Sequence, residues 1–220
     1  MVLAKKKFRD PDETQRRILA AAKVEFAKNG LGGARVDVIA ARAKANKRMM
    51  YHYFGNKEAL FKLVLENAYC DFREAEAALA LDKEEPVTAL CKWVAFSWDY
   101  FISNPEFITL VNSENLHKAR HIMNSKRMQE MSRPFVGRME TLLQRGADAG
   151  LFRANLDAVQ MNITLASVSY YYLTNRFTGT IVFERDLMSE AALKERLEFN
   201  IQSILRIVCT PETLRKMEDL

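Results

Sequence analysis

The run Arg35–Lys57, RVDVIAARAKANKRMMYHYFGNK, constrains the fold more than any other part of the chain. Read at helical period, it holds two short helices joined by a tight turn. The first carries Val36, Ile39, Ala40 and Ala43 on one apolar face. The second runs from about Asn46 to Phe54, with Met50 and one of Tyr53 or Phe54 turned inward. Its other face offers Lys47, Arg48, Met49, Tyr51 and His52. A short second helix with cationic and aromatic groups outward is the form that enters a DNA major groove.

Charge placement supports that reading. Residues 1–58 carry 14 Lys/Arg against 6 Asp/Glu, whereas residues 59–220 carry 19 against 22. The basic excess therefore coincides with the two-helix pattern and favours phosphate binding. Lys47 and Arg48 fall in the first turn of the second helix, whose N-terminal residues face base edges. There Lys or Arg bonds guanine O6 and N7. Tyr51, one turn on, reaches a thymine methyl or a phosphate. Lys57 falls at the amino end of the next helix, where its ammonium and exposed N–H groups both suit a phosphate.

The remaining composition points to an all-α chain: 220 residues with only eight Gly and five Pro, and 49% hydrophobic. Cys70, Cys91 and Cys209 are widely spaced and form no CxxC, which implies reduced thiols in a cytoplasmic protein. No secretory signal is visible. The longest uncharged run, 158–175, contains Gln160, Asn162, Thr164, Ser167 and Ser169, and reads as a buried helix rather than a membrane span.

Along the chain, Lys5, Lys6, Lys7 and Arg9 form a basic arm, and Asp10-Pro11-Asp12 opens a helix ending at Asn29-Gly30. Asn56 caps a helix from about 57 to 81. Helices follow at about 87–103 and from Asn104-Pro105, then an irregular stretch spans Asn112–Asn124. A helix over about 125–149 contains Pro134, which either kinks it or marks a separate start. Gly150 ends it, with Leu151-Phe152 tucking back. Asp157 opens a helix to about Asn175. Residues 176–188 form a long connection with a short extended piece at Thr180–Phe183. A helix covers about 189–208, and Thr210-Pro211 starts a short terminal one.

Ile39-Ala40 with Ala43, Tyr51-His52-Tyr53-Phe54, and Asn56-Lys57-Glu58-Ala59-Leu60-Phe61 resemble the signature of the TetR (tetracycline repressor) family of bacterial regulators. The preceding Ile18, Ala21, Ala22, Phe26, Ala27 and Asn29-Gly30 fit the same pattern. The resemblance is specific over about residues 12–65. It implies a DNA-binding domain at 1–58 with a three-helix helix-turn-helix unit, and a helical effector-binding and dimerisation domain at 59–220. It also implies DNA contact at Arg35, Lys47, Arg48, Met49, Tyr51 and Lys57; Asn46 and His52, at the start and on the outer face of the second helix, complete the candidate DNA-binding set. Three positions depart from the family. Lys44 stands in the turn where Gly is usual, Arg35 replaces a Thr cap, and Met49 replaces a small polar residue. A side chain at a positive-φ turn costs about 1 kcal/mol.

For the second domain, the eighth and ninth expected helices, about 157–175 and 189–208, are the candidate homodimer surface. Leu193, Leu197, Ile201, Ile204, Leu205 and Val208 form a stripe, and the 157–175 helix is apolar on both sides. Two reading heads suit a palindromic operator with half-sites about 34–36 Å apart. Candidate walls of a small-molecule pocket are Trp93, Phe96, Tyr100, Met161, Tyr170 and Tyr171, with Trp98, Phe107 and Met128 beside them. Polar candidates are Asn112, Asn115, His117, Arg120, His121 and Asn175. Such walls suit a small aromatic or heterocyclic effector, anionic if Arg120 or a His faces it. His117 and His121 are spaced i, i+4 with only Glu114 close by, so neither a metal nor a cofactor is expected. No phosphate loop, nucleophile elbow or HExxH appears, so an enzyme is not expected. The sequence favours a DNA-binding repressor released by a ligand. The alternatives are an architectural DNA binder without effector control and a helical-bundle enzyme.

Overall fold

The computed structural model describes residues 11–218. They form eleven α-helices and one 3₁₀ turn, so the all-α expectation holds. The helices are α1 (Pro11–Gly33), α2 (Val36–Arg42), α3 (Lys47–Phe54), α4 (Lys57–Ala77), α5 (Pro86–Ser103), α6 (Pro105–Leu116), α7 (Lys126–Asp148), α8 (Ala158–Thr174), α9 (Arg176–Val182), α10 (Glu190–Val208) and α11 (Pro211–Glu218). The basic arm at Lys5, Lys6, Lys7 and Arg9 lies outside the described residues. The chain divides into two compact units: residues up to Ala68 with Thr109–Ser125, and Tyr69–Ile108 with Lys126 onward.

The first unit is built on apolar side chains from its opening helices. Ile18, Phe26, Ile39, Met50, Leu60 and Phe61 are fully buried, and Phe26 meets Phe61 edge to face at 5.2 Å. Gly30, at φ 63, breaks α1 after Asn29, where the sequence places the helix end. Arg17 Nε donates to the Ala43 carbonyl at the end of α2 at 3.1 Å, tying α1 to the two-helix motif. Later in this unit α6 stops at Leu116, and residues 117–124 form turns with Lys118 and Ala119 both at φ 57. Buried Glu114 braces these turns by accepting from the His121 N–H at 2.8 Å and pairing with its Nδ1 at 2.6 Å.

The second unit is organised around α5. Its buried residues Ala89, Leu90, Trp93, Val94, Ser97, Trp98 and Phe101 recur at helical spacing, and α5 packs against α7, α8 and α10. Asp157 caps α8 by accepting from Gln160 N at 2.9 Å. Gly150, at φ 71, ends the turn after α7, and the N–H groups of Leu151 and Phe152 return to the Gly146 carbonyl at 2.9 and 3.0 Å. Phe152 then pairs with Cys209 in an isolated antiparallel bridge.

Two expectations are corrected and one open alternative is decided. Residues 176–182 are helical, not a connection with an extended piece. Thr180–Phe183 has strand-forming chemistry, but the described residues contain no strand to satisfy its backbone, so helical bonds win. Pro134 sits inside one helix, α7, whose buried Met139, Leu142 and Leu143 hold it to the core despite the missing N–H. α4 stops at Ala77 rather than 81, with Ala80 at φ 49 before the short turn Leu81–Lys83. Among the described residues no helix is long and apolar enough to cross a membrane.

Candidate functional site

The first site is the outer face of α3. Asn46 caps the helix by accepting from Met49 N at 2.8 Å, and Met50 anchors it at 0% exposure. With those two positions fixed, Lys47, Arg48, Tyr51 and His52 are exposed, while Met49 is half-buried. The first turn holds no acidic residue, so Lys47 and Arg48 sit at the positive end of the helix dipole. That placement is unfavourable for the isolated helix and favourable once an anion arrives. Lys47 Nζ lies 6.0 Å from the Tyr51 ring centroid.

Flanking positions are more committed. Arg35 precedes α2 and makes no side-chain cap. Its backbone N–H instead donates to buried Glu25 at 3.2 Å, and its guanidinium pairs with Asp37 at 2.8 Å. The Asp37 hydrogen bond, then its charge, pushes the Arg35 pKa up, and Arg35 in turn lowers that of Asp37. This pair is exposed and cheap to open. Lys57 Nζ donates to the Ala34 and Gly32 carbonyls at 3.3 and 3.4 Å, which leaves one of its three donors for a phosphate. Lys44 adopts φ 51 in the turn between α2 and α3.

The second site is a cavity of about 230 Å³ within the second unit, lined by α4, α5, α7 and α8. Phe72, Trp93, Phe101 and Phe135 supply its aromatic walls, and Arg73, Glu76 and Asn162 its polar ones. A larger recess of about 640 Å³ shares Glu76 and Trp93 and adds Arg138 and Arg145. The Glu76 side chain is 1% exposed. It accepts from Trp93 Nε1 at 2.8 Å, Arg138 Nη2 at 2.8 Å and Arg73 Nη1 at 3.2 Å. Burial holds the Arg73 pKa below its ordinary value, against the attraction of Glu76.

Of the sequence candidates for a ligand site, Trp93 lines both hollows. Phe96 and Tyr100 pack on Phe72 with centroids 5.8 and 4.8 Å away, one ring removed from the lining. Burial, then Asp71 and Glu106, pushes the Tyr100 pKa up to about 12. Met161 belongs to the core, and Tyr170 Oη donates to the Ile108 carbonyl at 3.2 Å, its pKa raised by burial. Tyr171 is 63% exposed. Asn112, Asn115, His117, Arg120 and His121 fall in the first unit and line neither hollow. There Asn115 Nδ2 donates to the Val111 carbonyl, His117 Nδ1 contacts the Ser113 carbonyl, and Arg120 Nε donates to His121 Nε2. Sequence reasoning missed Arg73, Glu76 and Arg138. A signal existed for Glu76, because Ala68, Phe72 and Glu76 share one buried face at i, i+4 spacing.

Comparison with known proteins agrees with this architecture. Residues 18–64 match the model of bacterial regulatory proteins of the TetR family, and residues 86–204 match a tetracycline-repressor-like C-terminal domain. The HTH-type transcriptional repressor NicS of Pseudomonas putida is 40% identical over 195 residues, covering 89% of this chain and 92% of its own. Among solved structures, the transcriptional regulator SCO4942 of Streptomyces coelicolor superposes with a TM-score of 0.68 at 24% identity, covering 89% of this chain and 98% of its own. The fatty acid degradation regulator FadR of Bacillus halodurans gives 0.67 at 19% identity, covering 90% and 97%. Sequence likeness that spans both the α3 motif and the helical region after it shows that the chain belongs to the TetR family of bacterial regulatory proteins.

Proposed function

We propose that this chain is a transcriptional repressor that binds a palindromic operator as a homodimer and leaves it when a small aromatic or heterocyclic ligand binds. The reading rests on the exposed Lys47–His52 edge of α3, held outward by the Asn46 cap and the Met50 anchor. The repressor sense is supported by the name of the P. putida relative. Residues 1–58 read DNA, and residues 59–220 bind the effector and hold the dimer. Such a protein works in the cytoplasm.

The dimer surface is formed by α8 and α10. Along α8, Met161, Leu165 and Leu173 are buried, while Val159, Ile163 and Tyr171 stay exposed at helical spacing on another side. On α10, Phe199 and Ile207 are exposed as well. A helix apolar on both faces needs a second surface, and a two-fold bundle provides it. A ligand that prefers one spacing of the two reading heads shifts operator affinity by its difference in affinity for the two states.

The test is selection of an operator from a random duplex pool, followed by fluorescence anisotropy. Lys47→Ala and Arg48→Ala each weaken the selected duplex by about 1–3 kcal/mol, with little change on unrelated DNA. Lys57→Ala weakens both duplexes alike. A pool that yields no enriched sequence refutes the reading.

A further inference from the structure

Hydrogen-bonding capacity around Glu76 is unevenly spent. A carboxylate offers about four acceptor sites. Those of Glu76 are taken: Oε1 accepts from Arg73 Nη1 and Trp93 Nε1, and Oε2 from Arg73 Nη1 and Arg138 Nη2. The donors are not exhausted, because Arg73 Nε and Arg138 Nε are both buried without a hydrogen-bond partner. Two guanidinium groups share one carboxylate, so positive charge is in surplus as well. A cationic ligand, or one bringing only donors, finds no acceptor left on Glu76. A ligand bringing negative oxygens offsets the excess charge.

The cavity also specifies what the oxygens are attached to. Phe72, Trp93, Phe101 and Phe135 line it beside Arg73. The Arg73 guanidinium carbon lies 3.4 Å from the Phe135 centroid and 5.0 Å from that of Phe72, which fixes the cation against the aromatic wall. We infer that this cavity takes a small aromatic carboxylate, its ring among the four aromatic side chains and its carboxylate on Arg73. The inference rests on the effector-responsive reading above and names the effector's chemical class. Glu76 is the internal anion for Arg73 and Arg138, and the ligand's carboxylate competes with it.

Calorimetric titration of the full-length protein with benzoate, benzamide and acetate tests this. Benzoate and benzamide have nearly the same shape and differ in charge, and acetate has the charge without the ring. Benzoate binds at least about tenfold more tightly than either of the others. In Arg73→Met the preference of benzoate over benzamide disappears while benzamide binding persists, which reports an intact cavity. Equal affinity for benzoate and benzamide in the wild type, no benzoate binding, or an undiminished preference in Arg73→Met each overturns the inference. Should Arg73→Met fail to fold, the wild-type comparison decides alone. Operator binding by the same preparation separates the two readings. Benzoate selectivity without operator binding sinks the repressor and leaves the anion site. Operator binding without charge selectivity does the reverse.

Discussion

Lys44 holds φ 51 in the turn between α2 and α3, a conformation in which a Cβ is crowded and glycine is not. Lys44→Gly therefore raises stability by about 1 kcal/mol, read as a higher melting temperature in calorimetry. An unchanged or lower melting temperature contradicts the assigned strain. Residues whose partners lie within one helical turn were legible in the sequence. Asn56 caps α4 by accepting from Ala59 N at 2.7 Å, and Asp157 caps α8 from three residues away. Residues whose partners lie far along the chain were not. Lys57 looks like a free phosphate clamp until folding brings it to the carbonyls of Gly32 and Ala34. Glu76 looks like surface charge until α7 delivers Arg138, 62 residues away, and α5 delivers Trp93.

At the scale of elements, periodicity located the long helices because each buries one stripe against several neighbours. It failed at α9, where β-branched residues suggest extension and the surroundings offer no strand to pair with. It was undecided at Pro134, where side-chain packing along α7 outweighs one lost backbone bond. Near the end of α7 the helix backbone lies directly against the ring of Phe152. A methyl group added at Gly146 would stand 2.0 Å from the Phe152 ring, which is itself buried. Gly146→Ala consequently forces the Phe152 ring and its bridge to Cys209 apart and costs about 1–3 kcal/mol by chemical denaturation. A neutral result means that Phe152 has room to move.

At the scale of the whole molecule, net charge is uneven along the chain. The basic excess lies in residues 1–58, whereas the exposed apolar side chains Tyr171 and Phe199 lie on α8 and α10. On the homodimer reading, the double substitution Tyr171→Glu with Phe199→Glu moves the protein from dimer to monomer in sedimentation velocity. It weakens operator binding far more than binding to unrelated duplex, because only the paired heads span both half-sites. A wild-type protein that sediments as a monomer at every concentration removes that reading. On the same homodimer reading, assembly through the α8 and α10 stripe also ties gene control to dosage. At low abundance, operator occupancy climbs as the square of the number of chains in the cell, so modest changes in synthesis carry the promoter across its threshold before any effector is present.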